Sequence, residues 1–214
     1  MKIIRLNIYA WVLILTPFLA ITSFAELPPD VLGLQQRWAE LNYQMQGDAR
    51  DDAYAALLAQ ADKVTSAHST SAPAWIWSGI IKSSYAGVKG GLRGLGLAKA
   101  AKADFEHAME IDGDALNGSA YTSLGVLYMN VPRWPVAFGD NNKAYDLLTH
   151  AVQVAPEDID ANYFMAEYYL KQNDHAKARH YLKVADQAPA RAGREIADTG
   201  RHGEIAQMMS QLER

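Results

Sequence analysis

The sequence predicts an all-α protein: a right-handed α-solenoid of stacked helix hairpins, with two elongated inter-helix loops and capping helices. Three observations carry that prediction. Stretches of the chain resemble one another at fixed offsets. Within them, small and large apolar residues recur at helical spacing. No useful length alternates polar and apolar residues with period two, so almost no strand is expected.

Residues 1–25 are set apart from the fold. Lys2 and Arg5 form a short basic region, Ile8 to Ile21 is almost wholly apolar, and Ser23-Phe24-Ala25 offers small residues where a signal peptidase reads. The apolar run is shorter than the roughly 20 residues that span a bilayer, and Pro17 interrupts it. The expectation is a signal peptide cleaved after Ala25, with no membrane insertion afterwards. Cleavage would leave 18 of the 20 Lys and Arg against 24 Asp and Glu, a net charge of −6. That sign argues against nucleic acid or an anionic membrane surface as partner. The absence of cysteine excludes disulfides, thiolate metal sites and cysteine nucleophiles. Export without disulfides suits a bacterial periplasm.

Residues 26–72 read as an N-terminal helical pair or cap. Asp30 is the expected N-cap of its first helix and Gly47 the expected end. Leu57, Leu58, Ala61 and Val64 give the second helix an apolar stripe.

Residues 73–190 read as three helix pairs. Leu124, Gly125 and Tyr128 align with Met165, Ala166 and Tyr169, 41 residues on. Ala144, Leu148 and Ala151 align with Ala178, Leu182 and Ala185, 34 residues on. An earlier copy places Trp75 and Gly79 46 residues before Tyr121 and Gly125, and Ala101, Phe105 and Ala108 43 residues before Ala144, Leu148 and Ala151. Small residues (Gly79, Gly125 and Ala166; Ala101, Ala144 and Ala178) let the paired helices approach, and large ones fill the seam. The differing offsets put extra residues between the helices of the first two pairs, at "VKGGLRGLG" and "VPRWPVAFGD". Both extensions fall at the same point of the repeat, so they are expected side by side on one edge of the stack. Pro132, Pro135 and Gly139 keep the second from being helical, and Asp140 is the expected N-cap of the helix beyond it. Residues 191–214 end in a capping helix with Ile205, Met208, Met209 and Leu212 on one face.

The 34-residue offset and the small-large seam resemble the tetratricopeptide repeat family over roughly Pro73 to Pro189. Within that family, the stretched repeats, the "VPRWPVAFGD" corner and the export signal are similar to periplasmic T-component proteins associated with TRAP transporters. Mitochondrial regulators of microtubule dynamics have a similar Pro-Gly-Asp corner. This chain lacks the lipobox cysteine that many T-components carry. The resemblance implies a non-enzymatic scaffold for a protein or peptide, or alternatively an accessory component holding a small organic solute.

No catalytic motif, metal set or cofactor signature opposes that expectation. His107 and His150 occupy equivalent repeat positions, and such positions lie roughly 10 Å apart, too far to share a zinc ion. Asp112, Asp114 and Asn117 lack calcium-loop spacing, and Asp114 reads better as an N-cap. Asp158 and Asp160 read as helix caps. Glycines 90, 91, 94 and 96 lack a phosphate-loop ending and read as a wide turn, with an anionic ligand as the lesser alternative. Arg191, Arg194, Arg201, Asp198 and Glu204 read as a salt-bridged surface joining the last repeat to its cap.

Two candidate binding surfaces remain. One is the insertion edge, with Arg93, Arg133, Trp134 and Phe138, where the aromatics either pin the loop or stand open for recognition. The other is the concave face: Ile76, Ile80 and Ser83, then Thr122, Val126, Met129 and Asn130, then Tyr163, Glu167 and Leu170.

Overall fold

The computed structural model describes residues 27–213, so the expected signal segment lies outside the described residues. Nine α-helices occupy them: α1 Pro29–Tyr43, α2 Asp48–Ala67, α3 Ala72–Lys89, α4 Gly91–Asp112, α5 Ala115–Asn130, α6 Asn141–Val154, α7 Ile159–Lys171, α8 His175–Asp186 and α9 Glu195–Leu212. No strand occurs among the described residues, only an isolated bridge between Arg133 and Gly139. The architecture is the all-α helical-repeat solenoid that the sequence predicts.

The seams form as the small-large pattern requires. A Cβ on Gly79 would lie 2.5 Å from the Phe105 ring, and one on Gly125 would lie 2.9 Å from Leu148 Cγ. Phe105 and Leu148 are the equivalent large residues of the paired helices, and both are fully buried. Ala166 and Leu182 repeat the contact in the third pair with no exposed surface. Helices α3–α4, α5–α6 and α7–α8 therefore pack as three hairpins around a shared core.

Aspartates start the later helices. Asp140 Oδ1 accepts hydrogen bonds from Asn142 N at 2.9 Å and Lys143 N at 3.2 Å, as expected. Asp158 Oδ1 does the same for α7, and Asp174 Oδ1 accepts from Lys177 N for α8. Each satisfies backbone donors that an uncapped first turn leaves open.

Other expected helix ends are corrected. Helix α1 begins at Pro29, whose fixed φ suits the first helical position, so Asp30 lies inside the first turn and pairs with His68 at 2.8 Å. The helix ends at Tyr43, and Gly47, with φ +71°, precedes α2 instead of closing α1. Asp114 holds the N-cap position of α5 as expected, but its side chain makes no capping hydrogen bond, and its own N–H donates to Asp112 Oδ1 at 3.1 Å. The backbone at Leu116, Asn117 and Gly118 is left-handed, which delays regular helix in α5 to the following turn.

The elongated loop expected at the glycine-rich segment is also corrected. The chain reverses within Gly90 and Gly91, at φ +59° and +53°, and α4 starts at once. The additional residues lengthen the helices, to 18 residues in α3 and 22 in α4 against 13 in α7 and 12 in α8. Gly94 makes the tight reversal possible, because a Cβ there would sit 2.6 Å from the Ala86 carbonyl oxygen. The glycines serve close helix approach, not a wide loop.

The second extension is the non-helical corner expected. Gly139 N donates to Pro132 O and Asp140 N to Tyr128 O, both at 2.9 Å. Phe138 folds inward, its ring edge-on to Tyr128 at 5.4 Å. Trp134 stays 85 % exposed and Val136 61 %.

The C-terminal helix does more than cover the last repeat. Ile205 and Met208 pack on α7 and α8, as a cap should. Yet Ala197 of α9 is buried in the N-terminal core with Trp38, Tyr54 and Trp77. Gly200 lies against Tyr43 of α1 so closely that a Cβ would come within 2.2 Å of the ring. The two ends of the stack thus meet across its concave side.

A cavity enclosed by the concave face

Because α9 meets α1, the inner face of the stack becomes the wall of a cavity of about 740 Å³. Helices α1, α3, α4, α5, α7 and α9 all contribute to it. Its lining runs from exposed to buried. At one side stand Gly90, Gly91, Leu92, Asn130 and Pro132, all exposed, with Leu92 at 87 %. At the other stand Trp38, Trp77, Thr122 and Arg201, all buried. The two repeat corners therefore form the mouth, and α1, α3 and α9 form the floor. Trp38 and Trp77 face each other there at 5.7 Å between ring centroids, and Trp38 Nε1 donates to Ser84 Oγ at 2.8 Å.

Charge is confined to the floor. Asp160 of α7 receives Arg201 Nε on Oδ1 and Arg191 Nη1 on Oδ2, each at 2.8 Å. Arg191 also binds Asp198, and Arg201 binds Glu204. The Arg201 guanidinium lies 4.3 Å from the Tyr163 ring centroid and 4.6 Å from that of Phe164. Burial alone would raise the Asp160 carboxyl, but Arg201, Arg191 and Arg194 outweigh it and hold it well below the usual carboxylate range. Burial, reinforced by the charge on Asp160, pushes the Asp158 carboxyl up. Burial also carries the Tyr43 and Tyr163 hydroxyls up to about 12, so both stay neutral donors at physiological pH.

Arg194 stands apart from this compensated set. Its guanidinium lies over Trp77 at 5.3 Å, its Nε is buried without a hydrogen-bond partner, and its nearest carboxylate oxygen is Asp160 Oδ2 at 3.8 Å. Burial, then the neighbouring Arg191 charge, pull its pKa below the ordinary value.

Of the candidate binding residues, the structure places Asn130 on the cavity wall, at the mouth, where it also accepts a hydrogen bond from Lys171 Nζ. Arg93, Arg133 and Trp134 are exposed outside it. Met129 packs against the central core, and Phe138 pins the corner. Tyr163 stacks on Arg201, and Glu167 pairs with Lys171 at 3.1 Å. The concave register holds on α3 and α5, where Ile80, Ser83, Thr122 and Val126 line the cavity while Ile76 does not. On α7 it is one residue out: Asp160 and Phe164 face inward, not Tyr163, Glu167 and Leu170.

The residues missed are Trp38, Trp77 and Phe164 among the aromatics and Asp160, read only as a cap. Arg194 and Arg201 carry a visible signal, since seven residues apart is the same face of a helix. Their cluster joins the last repeat to α9 as expected, but it is largely buried and turned to the concave side. His107 and His150 repeat one structural contact, packing on Trp75 at 4.7 Å and Tyr121 at 4.1 Å. Among the described residues, no three His, Asp or Glu side chains group as a metal site would require.

Fold and cavity together define a helical-repeat protein whose inner face lines a half-open cavity. Residues 136–195, from within the second corner to the start of α9, match a tetratricopeptide repeat family model. No curated protein matches the sequence.

Proposed function

We propose that the protein is a non-catalytic, exported binding module that takes an elongated amphipathic organic molecule into the cavity. The carrying observation is the contact between α9 and α1, which walls off one side of the concave face that an open repeat array offers to partners. A volume of about 740 Å³ falls in the range of small-molecule sites, roughly 300–1,000 Å³. Its wall is mainly apolar, with charge at the floor alone. Accessory service to a TRAP-type transport system is the finer form of this reading, supported by the resemblance of the second corner and by the export signal in the sequence.

The test uses Trp38 and Trp77 as built-in reporters. Titration with decanol, below its aqueous solubility limit, is expected to change tryptophan fluorescence saturably with one molecule bound. Val126→Trp, which fills the cavity from α5, is expected to abolish the response while leaving the helical circular dichroism intact. An unchanged response in that variant would place binding elsewhere and refute the proposal.

Trp134 supports a second reading, the docking of a partner protein, a role tetratricopeptide repeats suggest. With Val136 and Leu92 it leaves apolar surface exposed along the edge that carries the mouth. Crosslinking and pull-down from periplasm, with Trp134→Ala as control, tests it. Partners captured equally by both forms would argue against a role for this edge.

A further inference from the structure

The charges on the cavity wall satisfy one another. Among the described residues, those that line it with a charge are Asp160, Arg194 and Arg201. Asp160 holds Arg191 and Arg201 at 2.8 Å and Arg194 at 3.8 Å, and Arg201 also pairs with Glu204. Against these arginines stand the carboxyl groups of Asp158, Asp160, Asp198 and Glu204, so the cluster has no positive excess to offer an anion. It offers a cation no more, since both oxygens of Asp160 are already held. A charged head group would therefore leave water for a mainly apolar space without a counter-ion, which is far more unfavourable than moving an uncharged polar group there.

The uncharged polar groups behind the mouth are hydroxyls, on α3 and α5. Most are committed. Ser84 Oγ accepts from Trp38 Nε1, Ser83 Oγ donates to Ile80 O, Ser119 Oγ donates to Leu116 O, and Thr122 is buried. Ser123 differs. It is half-buried, and its Oγ has no partner among the described residues, yet it is not one of the unpartnered atoms sealed from solvent. It follows Ser119 by four residues and so shares that face of α5, one turn on. A hydroxyl both donates and accepts, and Ser119, its proton already used, still accepts. The pair thus offers one donor and the lone pairs of two oxygens, which is the complement of another hydroxyl.

We propose that the cavity takes an uncharged long-chain alcohol, whose hydroxyl binds Ser123 with Ser119 beside it. The apolar tail then lies along Ile80, Leu95, Val126 and Leu127 toward the mouth, all of them wall residues. The inference rests on the cavity being a ligand site and adds the chemical class of its ligand.

Three probes with one tail and different heads test this: decanol, decanoate and decyltrimethylammonium. Each is titrated at neutral pH, below its solubility or micellar limit, with tryptophan fluorescence as the readout. Decanol is expected to bind at least about tenfold more tightly than either charged probe. Ser123→Ala should weaken decanol about threefold to tenfold, the loss of one neutral hydrogen bond, with helical circular dichroism unchanged. Ser83→Ala, which removes a hydroxyl elsewhere on the wall, should leave decanol affinity within about twofold. Decanoate or the ammonium probe binding as tightly as decanol would overturn the head-group proposal while leaving the cavity as a ligand site. So would a decanol affinity that Ser123→Ala leaves unchanged, or that both substitutions lower equally. Binding of none of the three probes would overturn both proposals.

Discussion

Trp134 and Phe138 stand four residues apart in one corner and have opposite fates. Phe138 lies edge-on to Tyr128 and joins the central core, whereas Trp134 is 85 % exposed. Replacing Phe138 by Ala should therefore cost about 2–3 kcal/mol, somewhat below the usual loss for a fully buried aromatic because the ring keeps some exposure. Replacing Trp134 by Ala should change stability by less than about 0.5 kcal/mol, as surface substitutions do. Urea unfolding of the two variants checks the contrast, and comparable losses would mean that Trp134 also pins the corner. Composition shows that such a corner needs an aromatic anchor. Which of two aromatics turns inward depends on the path set by Gly139, where a Cβ would lie 2.1 Å from the Val131 carbonyl oxygen.

At the scale of the helix pair, the close approach at each seam comes from a missing Cβ. Gly79→Ala would drive a methyl group into the Phe105 ring and should destabilise the protein by about 2 kcal/mol, within the range for overpacked cores. Gly79→Ala combined with Phe105→Leu should recover part of that loss, since Leu is the natural occupant of the equivalent position in the next repeat. Additive losses in a double-mutant cycle would rule out the seam as the cause. The seams were legible because periodicity and residue size are properties of the chain itself. The corners were half legible. Proline and glycine mark a break, and at residues 131–140 the break is a loop. At residues 88–96 the same glycines let α3 and α4 lengthen and cross at close range, a distinction carried by the Gly94 contact with Ala86 and not by composition. The inward register of α7 was misread by one position for a similar reason. Tyr163 and Phe164 are both large aromatics, and the choice between them is made by α9, which lies 30 residues or more further along the chain.

For the whole molecule, the decisive contact joins the two ends, and no periodic pattern announces it. Asp160 of α7 anchors the α9 side of it electrostatically, placed between Arg191, Arg194 and Arg201, with Asp158, Asp198, Glu204, Tyr163 and, from α1, Tyr43 around them. Asp160→Asn would leave those buried arginines undercompensated and should cost about 3 kcal/mol. The same carboxylate sets a pH dependence. Its folded pKa is depressed, so its contribution is complete above the unfolded value of 3.8 and is lost as pH falls below that toward the folded value. Asp158 and Glu204 have raised values, so they act in the opposite sense and offset part of the loss. Stability should therefore be nearly level from neutral pH to about pH 5 and decline below about pH 4. In Asp160→Asn the neutral-pH stability should be lower and the acid decline shallower. Hydrogen exchange locates the effect: amides of α1 and α9 should lose protection together as the ends part, before those of the central hairpins. Loss of protection in α9 alone, or an acid profile that Asp160→Asn leaves unchanged, would show that the ends are held by apolar packing around Ala197 and Tyr43. The cavity would then stay closed in acid.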